Sequence, residues 1–329
     1  MTKFYTLTVD TEEEWDWSNG YDSRSCSVDN IEALPNFQET CERFGAKVTY
    51  FVNYSVLTNV SAAGVIKRLD QRQDVEIGYH IHPWNTPPFP SSDIRVSERE
   101  SYLHNLPRDI AIQKMDSVLE AFRNCGLSPS SFRGGRYSTS DWIQEHLYKN
   151  GCIADASVVP FTTWPDDGAP DFRHRDLAPH RRDMGERRSG LWELPLTLAF
   201  TRQPWKFWSS FYESAKRQPW RSLRCIGIAE RLFVKRVWLN LENPLGASAT
   251  HLLNVLRQTD LPCINITLHS SSLVPGLNAY TRTQSDLRRL YSRLDDVLSL
   301  LGNWSEFRSA TVAEVAQHLE KQHNARSRN

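Results

Sequence analysis

The chain has 329 residues, 40% of them hydrophobic and 24% charged, with 39 Lys and Arg balancing 39 Asp and Glu. That length buries a large core, and a net charge of zero supplies no global basic field for nucleic acid. The start, MTKFYTLTVDTEEEWDW, reads as no leader peptide, no run reaches the roughly 18 apolar residues of a membrane span, and the six cysteines are scattered without a Cys-x-x-Cys pair. A cytoplasmic protein with reduced thiols is therefore expected, and zinc held by cysteine is not.

In chain order, KFYTLTV (3–9) is β-rich and ends at Asp10. Over 29–44 the apolar positions Ile31, Leu34, Phe37 and Cys41 follow helical spacing. KVTYFV (47–52) predicts a strand, 60–72 a helix and VEIGYH (75–80) a strand. A helix over 108–125 leads to a short strand at SFRGG, and 141–150 to a helix closed by Gly151. CIADASVV (152–159) predicts the next strand, and 160–190 a polar loop. Then follow a strand at LWELPLTLAF (191–200), a helix over 246–259, a strand at PCINITLHSS (262–271), and helices over 283–301 and 311–323. Repeated β–α units imply a largely parallel sheet or a barrel, in which sites gather at the carboxyl ends of strands.

Polar residues collect at those ends. Asp10 and Glu12 follow the first strand, His80 and His82 end the third, Arg133 ends the fourth, Asp155 lies in the fifth, and His269 ends a late one. Carboxylates, two imidazoles, an arginine and a further histidine at one barrel mouth suit metal-assisted hydrolysis. Zinc takes three His or carboxylate ligands and leaves a position for water, a second carboxylate accepts a proton, and another histidine protonates the leaving group. Asp155 can tune His269 or cap its strand. Glu13, Glu14 and Asp16 read as solvated loop charges, and His104, His174, His180, His251 and His318 carry no expected chemistry.

The order TVDTEEEW (8–15), EIGYHIHPW (76–84), FRGGRY (132–137) and TLHSSS (267–272) resembles the motifs of the polysaccharide deacetylases, carbohydrate esterase family four. The resemblance implies an α/β fold, a distorted (β/α) barrel of about seven strands. It also implies metal-dependent removal of acetyl groups from N-acetylated sugars. It places Asp10 as the base, Arg133 as the residue that orients it, His269 as the acid and His80 as the first metal-ligating histidine. Two positions depart from the family. Thr11 stands where the family has a second, metal-ligating aspartate, and Trp84 stands where it has its second histidine. Glu12 and His82 are the nearby replacements, so the expected metal set is Glu12, His80 and His82, most simply with zinc. RGGRY has two glycines where the family has a proline, which leaves an oxyanion-binding or substrate-binding role for Tyr137. Trp84, Trp15 and Trp17 are candidates to stack on a sugar, with core packing the equal alternative for each and Trp84 the one placed at the substrate.

The resemblance further implies a single domain over 1–329 acting on a cell-surface glycan precursor, as in divergent intracellular branches of the family. Loss of metal ligands keeps two alternatives open: a metal-independent cyclic amide or imide hydrolase of the same fold, and a non-catalytic carbohydrate-binding barrel. Two stretches stand apart. DFRHRDLAPHRRDMGERRSG (171–190) concentrates Arg and His in a loop that could bind a carboxylate or phosphate. Between Arg202 and Arg236, nine Lys and Arg face only Glu213 and Glu230, with Trp205, Trp208 and Trp220 interleaved. This predicts a helical, basic-aromatic insertion at about 202–245 that could make peripheral membrane contact through 202–238, form a subunit contact, or be a solvated face.

Overall fold

The computed structural model describes residues 2–14, 20–22, 27–89, 95–185, 190–216 and 225–327. Trp15, Asp16, Trp17, Cys26, Arg187, Arg188, Arg217 and Trp220 lie outside them.

Seven strands run parallel along one curled sheet, in the order Cys263–His269, Lys3–Thr11, Val48–Val52, Val75–Ile81, Ser131–Gly134, Ala154–Asp155 and Gly190–Glu193, and an eighth, Phe307–Ser309, pairs parallel with the start of Lys3–Thr11. The expected distorted barrel is therefore what the chain forms. The ring is bridged between its ends by isolated bonds. Thr197 N donates to the Asn265 carbonyl at 3.1 Å, and Asn240 pairs with Thr267 in a single parallel bridge.

Side chains alternate across the strands with period two. Leu7, Val9, Val48, Tyr50 and Val52 belong to the large cluster shared with helix residues such as Phe37 and Val65. Phe51, one residue out of phase, joins Ala154, Ala156 and Cys263 in a second cluster. Val312, Val315 and Leu319 of the last helix, Val312–Arg326, complete that second cluster. The helix start is fixed there by Val312 N donating to Thr49 Oγ1 at 3.1 Å and Ala313 N donating to Glu76 Oε2 at 3.0 Å. A carboxylate at a helix N-terminus meets the positive end of its dipole.

Three expectations are corrected. LWELPLTLAF splits into Gly190–Glu193 and Leu198–Phe200 around Pro195, which has no N–H to give a ladder. CIADASVV shortens to Ala154–Asp155. The polar stretch expected as loop contains the strand His180–Asp183, antiparallel to Gly190–Glu193 at the sheet edge. No helix among the described residues is long and apolar enough to cross a membrane. Cys41, Cys125, Cys152, Cys225 and Cys263 are free thiols.

Candidate active site at the strand ends

Register brings the polar residues together. Asp10 lies beside His269 on one neighbouring strand and Phe51 on the other, and His80 lies beside Arg133. Asp10 and Glu12 are two residues apart at one strand end, and His80 and His82 at another, so each extended pair presents both side chains to one side. The four line a cleft of about 160 Å³ with Tyr102, Arg136, Tyr137, Trp164, Asp166 and His269. That is room for a small reacting group, since pockets for drug-sized ligands run to roughly 300–1,000 Å³.

Glu12, His80 and His82 are buried, and one potential ligand atom from each lies within 4.8 Å of the others. Glu12 Oε2 is 3.1 Å from His80 Nε2 and 3.0 Å from His82 Nε2, and the two Nε2 atoms are 3.1 Å apart. A tetrahedron built on zinc–nitrogen bonds of about 2.05 Å has edges of about 3.3 Å, so the three atoms are spaced as ligands around one ion. The opposite ring nitrogens are held from behind. His80 Nδ1 is 2.7 Å from the Arg133 carbonyl, which can only accept, so the proton of a neutral ring sits there and Nε2 offers its lone pair. His82 Nδ1 is 2.8 Å from Glu13 Oε1. Burial works against charging His82, but Glu13 and Glu12 outweigh it and hold it up at about 10. Burial would also raise Glu12, yet His82 and His80 hold its carboxyl below the usual range. A carboxylate and two imidazoles held from behind converge in a buried site, and a divalent cation fits there in place of the proton shared by His82 and Glu12.

Glu13 corrects the reading of a solvated charge. It is wholly buried and accepts from His82, from Trp84 Nε1 at 3.2 Å and from Asn53 Nδ2. A buried carboxylate is tolerable because donors surround it. Trp84 is likewise not in the cleft wall. It is 1% exposed, and its ring stacks on His82 with centroids 4.2 Å apart, packing that imidazole rather than a sugar. Thr11 turns its hydroxyl to the Val9 carbonyl at 3.1 Å.

Arg133 holds Asp10 in a buried pair, Nη1 donating to Oδ1 at 2.7 Å and to Thr267 Oγ1 at 3.1 Å, while its Nε donates to the Ala156 carbonyl at 3.1 Å. The guanidinium lies 4.5 Å from the centre of the Phe51 ring. Asp10 Oδ2 faces His269 Nε2 at 3.9 Å. His269 takes its partner from Glu242, whose Oε2 is 2.9 Å from Nδ1 and whose Oε1 accepts from the His269 backbone N–H at 3.0 Å. Burial opposes the imidazolium, but Glu242 outweighs it and pushes His269 up to about 10. Of its two expected roles Asp155 takes the strand-capping one, accepting from Ser157 N at 2.9 Å and from Gln144 Nε2 at 2.8 Å at the end of its own strand. A single charge inside the apolar run VWLNLENPL was the signal for Glu242, since a buried carboxylate requires a partner.

The glycines of FRGGRY serve close packing. A Cβ on Gly134 would meet the Ser138 carbonyl oxygen at 1.9 Å, and one on Gly135 would meet His82 Cδ2 at 2.3 Å and the Ile81 oxygen at 2.4 Å. Gly135→Ala is therefore expected to push His82 off its seat and to destabilise the fold by about 1–3 kcal/mol, the usual cost of overpacking. A lower melting temperature together with weakened metal uptake checks it. The next two residues, Arg136 and Tyr137, have φ of 51° and 61°, left-handed values that cost side-chain-bearing residues energy. The turn delivers both to the cleft. Arg136 lies over Tyr102 at 4.1 Å and pairs with Asp166, and Tyr137 stacks on Trp164 with centroids 5.4 Å apart. Burial first, then the charge of Asp10, pushes the Tyr137 phenol well above its ordinary value, keeping it an O–H donor. Tyr102, Trp164 and Asp166 carried no motif in the sequence, and Arg136, though inside FRGGRY, was given no role.

The four described arginines of 171–190 each have an acidic partner, while Arg187 and Arg188 lie outside the described residues. Arg173 bonds Asp171, Arg175 bonds Glu193, Arg181 bonds Glu320 at 3.0 Å and Arg182 bonds Asp141 at 2.7 Å. Arg181, 13% exposed, is the most enclosed of the four, and its pair with Glu320 ties this edge strand to the last helix.

No family model matches the sequence, and no curated protein matches it. Solved structures do. A candidate polysaccharide deacetylase from Mycobacterium smegmatis superposes with a TM-score of 0.56 at 14% identity, over 98% of this chain and 92% of that one. A candidate glycoside hydrolase/deacetylase from Parabacteroides distasonis gives 0.55 at 11%, over 98% and 72%. A 4-α-glucanotransferase from Thermococcus litoralis gives 0.50 at 10%, over 96% of this chain but only 40% of its own. Identities this low speak to architecture alone, and in that respect the chain has the fold of the polysaccharide deacetylases.

Proposed function

We propose that the chain is a metal-dependent hydrolase that removes the acetyl group from an N-acetylated sugar of a surface-polysaccharide or glycan precursor. The observation that carries this reading is the buried Glu12–His80–His82 cluster set beside an Asp10–Arg133 pair and a His269–Glu242 pair in one cleft. The same fold serves glycosyl transfer in the Thermococcus litoralis enzyme, so the choice rests on the site. Glycosidic chemistry uses two carboxylates flanking the bond. Here one carboxylate is bound by an arginine and the other lies between two imidazoles, which favours amide hydrolysis.

Glu12, His80 and His82 would hold the cation, zinc by their nitrogen-rich donor set. When bound, such an ion supplies a lowered pKa for water and polarisation of a carbonyl. Asp10, oriented by Arg133, takes a proton from the attacking water as the new C–O bond forms. His269, charged through Glu242, gives a proton to the departing nitrogen as the C–N bond breaks. Acetate and a free amino sugar result. Tyr137 stands in the cleft wall as a donor to the carbonyl oxygen. Acetate release from a panel of N-acetylhexosamines, free, nucleotide-linked and lipid-linked, tests the reading. Release from at least one class supports it, while turnover only of cyclic amides or imides would replace it with the alternative reaction of this fold.

The acid has a pH signature. His269 must be protonated, so activity falls as pH rises through its raised pKa. Glu242→Gln removes the charge that raises it and leaves the burial that lowers it. The alkaline limb of kcat/KM is expected to move to lower pH in that variant. A cation in the cluster repels the imidazolium in both proteins, so the comparison between them is the readout.

A further inference from the structure

Two helices, Trp205–Ala215 and Cys225–Leu232, leave the barrel between the antiparallel strands Leu198–Phe200 and Arg236–Trp238. Phe207 and Phe211 fall at i and i+4 on the first helix. With Ile228 of the second helix and Phe233 just beyond it, they line an open groove of about 650 Å³ whose wall is almost wholly apolar. Phe207, Ile228 and Phe233 are 59%, 51% and 55% exposed. Contiguous apolar surface of this kind marks an interaction site.

The charge around it selects the occupant. Nine Lys and Arg lie between Arg202 and Arg236, against two Glu, in a chain that is neutral overall. Of these, Arg202, Lys206, Lys216, Arg231, Lys235 and Arg236 are described and exposed. Lys206 pairs with Asp176 at 3.3 Å and Lys216 with Glu213 at 2.5 Å, but exposed pairs contribute little and yield to a denser field of negative charge. An apolar groove within a cationic helical lobe is complementary to an anionic bilayer. Its rings and Ile228 would enter the headgroup–acyl boundary, and its cations would meet lipid phosphates. The lobe also adjoins the cleft, because Trp238 at its base packs edge-on against Tyr137 with centroids 5.7 Å apart.

We propose that this lobe docks the protein on an anionic lipid surface and so brings the cleft to molecules held in that surface. The docking stands independently of the reaction proposed above. Sedimentation of the full chain with phosphatidylglycerol–phosphatidylcholine vesicles, against phosphatidylcholine vesicles alone, tests it. The protein is expected to pellet with the anionic vesicles at about 0.1 M salt and to partition at least about tenfold less at about 1 M, where the Debye length falls to about 3 Å. Phe207→Asp/Phe233→Asp and, separately, Lys206→Glu/Arg231→Glu/Lys235→Glu are each expected to abolish pelleting with melting temperature unchanged. Protein that stays in the supernatant at low salt would overturn the proposal. So would equal, salt-independent pelleting with both vesicle types. A dimer in light scattering that Phe207→Asp/Phe233→Asp splits would overturn it too, assigning the groove to a second copy.

Discussion

Asp10→Asn is expected to fold, to keep its metal, and to turn over substrate about 10²–10⁴-fold more slowly, the usual contribution of a general base. The asparagine retains an oxygen for Arg133 Nη1, which donates to Asp10 Oδ1 at 2.7 Å in the native chain. What it loses is the capacity to accept a proton. Asp10→Ala separates this from a structural effect. It leaves the buried Arg133 guanidinium without its counter-charge, which is expected to cost about 3–5 kcal/mol of stability on top of the loss of rate. Acetate release slowed by about 10²–10⁴-fold with a near-native melting curve for Asn, and a lowered curve for Ala, is the expected pattern. Near-normal turnover by the Asn variant would remove Asp10 from its role.

His80→Ala has the second large effect. The variant removes one of three converging ligand atoms, and nothing else in the described cleft can supply an imidazole at that point. Loss of an outer partner of a metal ligand typically costs about 10–100-fold in affinity, and loss of the ligand itself is expected to cost more. Elemental analysis after gel filtration should find the variant largely metal-free and inactive, while the alternation that builds the sheet keeps it folded. Retention of metal at the native level would place the ion elsewhere.

The barrel was legible because its signals are local. Alternation in KFYTLTV and VTYFV, and helical spacing at Ile31, Leu34 and Phe37, each arise within a few residues. The i, i+2 pairs Asp10–Glu12 and His80–His82 were legible for the same reason: extended backbone fixes their common side. What could not be read was whichever residue stands behind a functional one. Glu13 looks like its solvated neighbours in TEEEW, and only the approach of Trp84 and Asn53 from other segments makes it a buried partner of His82. Glu242 lies far in sequence from His269, and their pairing needs the irregular bonds that bridge the two ends of the curled sheet. The arginines of 171–190 suggested an anion site because a sequence shows charge but not the partners, Glu193, Glu320 and Asp141, that Arg175, Arg181 and Arg182 meet in the fold. Trp84 was misplaced by a single step of geometry, since a ring two residues beyond His82 stacks on that imidazole as readily as on a sugar.

The measurement that bears most directly on the account is metal content and acetate release in the same preparation, purified without chelator or metal-affinity steps, then stripped and reloaded. The account predicts about one divalent ion per chain, zinc foremost, loss of acetate release on stripping and its return on adding the ion back. Protein free of metal that releases acetate at the full rate would contradict it.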